Sequence, residues 1–144
     1  MTLVLTVLGY IVGGYSERKH YRSIIQREKR FLALPTITNS EPMGIQGNIR
    51  KVVLAQGNVV ISIDYFKRIL AGLRNFFGGE VQAYETLLDR ARREAVLRLK
   101  EGCPGADQII NLRIETASIS KGERNTVGSV ELFAYGTAIY VEHD

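Results

Sequence analysis

Cys103, His20 and His143 are the side chains of this 144-residue chain best suited to soft-metal coordination, and Cys103 is its one candidate thiol nucleophile. Zinc and softer ions need several Cys or His ligands converging with defined geometry, usually announced by CxxC or HxH spacing. Here the three lie far apart and no such spacing occurs. If a metal ion is bound, Cys103, His143 and Asp144 are the ligands the sequence offers, the last two gathered with Glu142 at the carboxyl end. The plainer readings are a solvated tail and a small packed residue between a helix stop and Pro104.

Nucleophilic catalysis has less to draw on. No histidine or carboxylate is placed by spacing beside Cys103, and no GxSxG elbow occurs. Gly78-Gly79 and Gly102 to Gly105 lack the GxxxxGK[ST] and GxGxxG patterns of phosphate loops and read as turns. Arg90, Arg92, Arg93, Arg98 and Lys100 are interleaved with Asp89, Glu94 and Glu101, as on a solvated helix face. No catalytic residue and no cofactor is assigned, and the chain is expected to bind or scaffold rather than catalyse.

The net charge of +4 is concentrated. Residues 1–34 hold six Lys/Arg against Glu17 and Glu28, while the remaining 110 residues hold 13 of each sign. A basic excess confined to one arm argues against a nucleic-acid-binding domain. Cys103 is the single cysteine, so an intramolecular disulfide is excluded, in keeping with a reducing compartment.

That arm forms its own region, residues 1–33, read as one long helix from about Leu3 to Leu32 that stops near Pro35. Met1 to Tyr15 contains no charged side chain. As a helix it rises about 22 Å, against a hydrocarbon core of about 30 Å. Leu3, Val4, Leu5, Val7, Leu8, Ile11 and Val12 are the expected lipid contacts, with Arg18 and Lys19 at the headgroups. Basic residues following the apolar run put the rest of the chain in the cytoplasm by the positive-inside rule, at a membrane. Gly9 and Gly13 form a GxxxG pair suited to close helix packing between copies. The competing reading docks Leu3–Tyr15 on a partner subunit as a buried helix.

Residues 34–144 read as a small α+β domain. Pro35 to Asn39 is a short first strand or edge segment, and Ser40 to Asn48 a loop. Arg50 to Ile63 is strand-like on both sides of Gly57-Asn58, which makes either a hairpin or, preferably, a bulge in one bent strand. Asp64 caps a first helix that Gly78-Gly79 ends. A second helix follows from about Val81 to Glu101, with the apolar stripe Tyr84, Leu87, Leu88, Ala91, Ala95, Leu99. Its other face carries the pairs Asp89/Arg93 and Glu94/Arg98. Gln108 to Ser118 alternates, with Ile110, Leu112 and Ile114 on one face. Lys121 to Asn125 is a hairpin tip. Val130 to Val141 is apolar on both faces. Since helices cover one face, Phe133, Tyr135, Ile139 and Val141 on the other are expected to meet another subunit.

The glycine pair, Tyr84-Glu85, Ala91-Arg92, Gly105-Ala106-Asp107 before a hydrophobic strand, and Tyr135-Gly136-Thr137-Ala138 together resemble the YbjQ family, a family of unknown function often labelled heavy-metal-binding. The resemblance runs from about Leu34 to Val141. It implies a β-α-β-β domain, an antiparallel sheet packed on two helices, assembling as a homopentamer, and a metal-binding sensor or store as the alternative role. The apolar arm lies outside that pattern and suggests an anchored form.

Overall fold

A computed structural model describes residues 19–62, 80–118 and 129–142. The apolar positions Leu3 to Val12 with Gly9 and Gly13, Arg18, the helix after Asp64, the tip Lys121–Asn125, His143 and Asp144 lie outside those residues. Chain contacts divide the molecule into two compact units, residues 1–33 and Leu34–Asp144.

In the first unit, residues 19–30 form a helix, α1, closed by a turn in which Phe31 N donates to the carbonyls of Arg27 and Glu28. Ile24 is fully buried, whereas Tyr21 and Ile25 are partly open and Leu32 is exposed. Among the described residues, no helix is long and apolar enough to cross a membrane.

The second unit is α+β. Its described elements are strand β1 (Ile49–Ser62), helix α2 (Glu80–Glu101), strand β2 (Gln108–Ser118) and strand β3 (Ser129–Val141). They form an antiparallel sheet of order β1-β3-β2. The valine- and isoleucine-rich run around Gly57-Asn58 is one continuous strand, in unbroken register with β3 from Lys51 to Ser62. Gly57 allows α2 to come down onto the sheet, for a Cβ there would collide with the backbone of Ala95 and Leu99. Small residues on the helix match that approach at Ala91 and Ala95, and Leu99, four further on, is buried with them. Ala95 and Leu99 make the main core with Ala55, Cys103, Ile109, Ala134, Ala138 and Tyr140. Burying Leu99 in this way contributes about 2 kcal/mol.

After Glu101, Gly102 N still reaches the Arg98 carbonyl, and Gly105 turns the chain at φ 75° into β2. The expected solvated face of α2 needs correction: Glu94 is only 6% exposed, its carboxylate held 3.1 Å from Arg98 Nε.

β2 departs from simple alternation. Asn111 adopts φ 54°, and the register against β3 slips by one residue between Ile110 and Arg113. This bulge sends Ile109 and Leu112 to the α2 side and Ile110 to the other. The shared face expected of Ile110, Leu112 and Ile114 is therefore split. The bulge lies over Gly136, where a Cβ would stand 3.0 Å from the Ile110 carbonyl oxygen. It also turns Asn111 N and Leu112 N outward to the carbonyls of Asn39 and Ile37, at 2.7 and 3.0 Å.

Those bonds capture the segment after Pro35, which contributes one parallel bridge, Thr36 to Ile109, rather than a full strand. Ile37 and Ile45 then pack on Ile110, Ile139 and Val141, forming a second small core on the far face of the sheet. Gln108 pins the same loop, accepting from Met43 N and donating to Met43 O at 3.0 Å each.

Candidate functional site

Cys103 sits just past α2, 2% exposed, with its Sγ donating to the Leu99 carbonyl at 3.3 Å. Burial pushes its thiol pKa up, against a smaller opposing pull from Lys100. The Lys100 ammonium is itself turned to the Leu34 carbonyl, 3.1 Å away. A protonated, hydrogen-bonded thiol inside the core is a poor nucleophile and a poor soft-metal ligand. Tyr140 is buried in the same cluster, its pKa also raised, first by burial and then by proximity to Cys103. Lys51 caps its ring, with Nζ 5.2 Å from the centroid.

Among the described residues, no three His, Cys, Asp or Glu side chains gather as metal ligands. His20 belongs to α1 in the other unit. The buried Cys103 thus does not fit a soft-metal ligand set.

Lys19, expected at lipid headgroups, is exposed at the start of α1. At 100° per residue, Lys19, Arg22, Arg27, Lys29 and Arg30 share one arc of that helix, opposite Tyr21, Ile24 and Ile25.

Among the described residues, open apolar surface lies on the side of the sheet away from α2. Phe133 and Tyr135 stand there half-buried with rings stacked at 5.6 Å and 28°. Beside them on β1, Val52, Leu54 and Val60 are 57%, 67% and 54% exposed. Cross-strand pairing with Ile139, Thr137 and Glu131 puts these three on one face. Asn58 Nδ2 donates to Glu131 Oε1 at 2.9 Å across the middle of it.

The expectation for β3 thus divides. Phe133 and Tyr135 border open apolar surface. Ile139 and Val141, 2% and 5% exposed, are already covered by Ile37 and Ile45 and leave little for a partner. Sequence reasoning assigned no role to Val52, Leu54 and Val60. A signal was present, since β1 is apolar at both alternations, Val52, Leu54 and Val60 on one and Val53, Val59 and Ile61 on the other, so one set had to face away from the helices.

Residues 36–142 match the model of the YbjQ family, described as "Putative heavy-metal-binding". A UPF0145 protein of Hahella chejuensis is 40% identical over 108 residues, 74% of this chain and 98% of its own. A second, from Dehalococcoides mccartyi, is 36% identical over the same shares. A solved structure of a protein of unknown function from Pediococcus pentosaceus aligns with 76% of this chain and 98% of its own, at 17% identity and a TM-score of 0.33.

Proposed function

The chain belongs to the YbjQ family, and from that premise we propose that it is a homo-oligomeric binding or scaffold module held at the cytoplasmic side of a membrane by its amino-terminal arm. The observation that carries the self-association is the uncovered apolar face of Val52, Leu54 and Val60 beside Phe133 and Tyr135. Single apolar residues on a surface need no explanation, but several gathered on one sheet face, here with Gln56 and Asn58 among them, favour an interaction site. Five copies is the count implied by the family resemblance.

Support for the membrane is separate. Sixteen uncharged residues precede Glu17, and the basic side chains of α1 share one arc, the arrangement that draws a segment to anionic headgroups. No catalytic role is proposed, because the one thiol is buried and protonated. The family description favours a metal-binding sensor or store as the alternative, and metal content of the purified chain against a Cys103→Ala/His143→Ala variant tests it; a stoichiometric ion lost in the variant replaces the scaffold reading.

Native mass spectrometry of the full chain in detergent tests the assembly. Several copies per particle are expected, and a clean monomer overturns it. Removing residues 1–15 is expected to release the protein from membranes; a full chain that is soluble without detergent refutes the anchor.

A further inference from the structure

We infer that α1 lies flat along the membrane surface, with its basic arc against anionic phospholipid headgroups over its whole length. This rests on the membrane reading and names the residues and the lipid chemistry that make the contact.

The positive-inside rule asks only that Lys and Arg follow an apolar run; it does not ask them to share a side. In α1 they do. Lys19, Arg22, Arg27, Lys29 and Arg30 fall within about 160° of the helix circumference, and the one acid of the helix, Glu28, falls opposite. Ser23 and Gln26 fill the arc between them, exposed and uncharged. Lys19, Arg22, Lys29 and Arg30 are exposed and Arg27 is half-buried, whereas Ile24, outside the arc, is fully buried. The Arg30 guanidinium stands 5.9 Å over the Phe31 ring, a contact that keeps its charge and leaves the side chain exposed. Residues 35–144 hold 13 charges of each sign, so the arc is a concentrated positive surface on an otherwise balanced chain.

Distance decides between a flat helix and one standing upright as a continuation of the apolar run. From Lys19 to Arg30 α1 rises about 16 Å. The attraction of an anionic surface decays within a Debye length, about 8 Å at physiological ionic strength. Upright, Lys19 and Arg22 would feel the headgroups, while Arg27, Lys29 and Arg30 would stand about 12 to 16 Å further out and be screened. Flat, all five lie at one depth, and their long stems reach the phosphates while the backbone stays above them. Only the flat arrangement brings Lys29 and Arg30 to the surface that Lys19 meets.

The test uses the full chain, with Cys103→Ala removing the native thiol, in phosphatidylcholine vesicles containing about one-third phosphatidylglycerol. A dye is attached at Gln26→Cys, on the arc, or at Ile25→Cys, 39% exposed and about 100° round the helix from it. Quenching by headgroup-labelled lipid is expected to be several-fold stronger at position 26 than at 25, and the contrast should vanish in pure phosphatidylcholine. An upright helix holds the two dyes within about 1.5 Å of one height and quenches them equally.

The charges give a second readout. When anionic and neutral vesicles compete for the full chain, Lys29→Gln/Arg30→Gln should weaken the anionic preference as much as Lys19→Gln/Arg22→Gln. The expected loss is about fivefold for each cation removed. Membrane-bound protein with equal quenching at 25 and 26, or with a distal pair that changes nothing, overturns the flat helix and leaves the anchor standing. A quenching contrast abolished by duplex DNA at matched phosphate concentration also overturns it and assigns the arc to nucleic acid. A full chain that associates with neither kind of vesicle overturns both readings.

Discussion

Asp107 and Val141 clamp the start of one strand to the end of another: the Asp107 carboxylate accepts from Val141 N at 2.7 Å. Asp107 N donates in turn to the Ile139 carbonyl at 2.9 Å, just before β2 begins pairing with β3. Val141 is 5% exposed, so its amide has no solvent to fall back on. Replacing Asp107 by Ala is expected to cost about 1–3 kcal/mol, the penalty for an unsatisfied buried donor. Asp107→Asn, which keeps an acceptor oxygen, should recover much of this. Thermal melts of the two variants check the order, and equal losses would show that the hydrogen bond is not the cause.

Gly57 is the second point of high sensitivity. A methyl group there would enter the backbone of α2 at Ala95 and Leu99, which no side-chain rotation relieves. Gly57→Ala should destabilise by about 3 kcal/mol, the upper end of overpacking costs. Gly105→Ala makes a useful contrast, since a Cβ there meets nothing within 4 Å and only its φ of 75° is strained. A smaller loss of about 1–2 kcal/mol is expected for it. Urea unfolding of both separates steric collision from backbone strain.

The buried acids set the alkaline limit of stability. Burial raises the thiol of Cys103 above its ordinary 9.0 and the phenol of Tyr140 above its ordinary 10.0. Between the unfolded and folded values the unfolded chain has released protons that the folded chain still holds. Stability therefore falls as pH rises through that window, beginning near 9 for Cys103 and near 10 for Tyr140. Cys103→Ala should flatten the onset of the decline, as read by melting temperature from pH 8 to 11. Reaction of Cys103 with a thiol reagent should stay slow at neutral pH and track global unfolding.

Local patterning and long-range packing account for what was legible in the sequence. The spacing of Ala91, Ala95 and Leu99 placed the core face of α2, and the shortness of each half on either side of Gly57 favoured one strand over a hairpin. Burial of Glu94 was hidden, because an acid four residues before Arg98 looks the same on a wet face as on a covered one. The coverage of Ile139 and Val141 was equally invisible, since Ile37 and Ile45 are about a hundred residues away in the chain. Alternation of hydrophobic and polar residues also reads straight through a bulge, because one inserted residue changes the faces without changing the composition.

Asn111 is where that bulge can be tested. Its φ of 54° lies in the left-handed region, open to Gly and Asn and strained for β-branched residues. Asn111→Gly should keep the bulge and change stability little. Asn111→Val should cost about 1–2 kcal/mol from backbone strain. It should also press β2 toward regular pairing, which would turn Leu112 away from the main core and break the amide bonds to Asn39 and Ile37. Loosening of residues 35–45 would follow, and with it exposure of Ile139 and Val141. Amide hydrogen exchange reads this directly: in the Val variant, protection at Ile37 and Ile109 is expected to fall more than protection at Val53, which lies in β1 away from the bulge. Uniform loss across the sheet would instead mean that the bulge and the docked segment are not coupled.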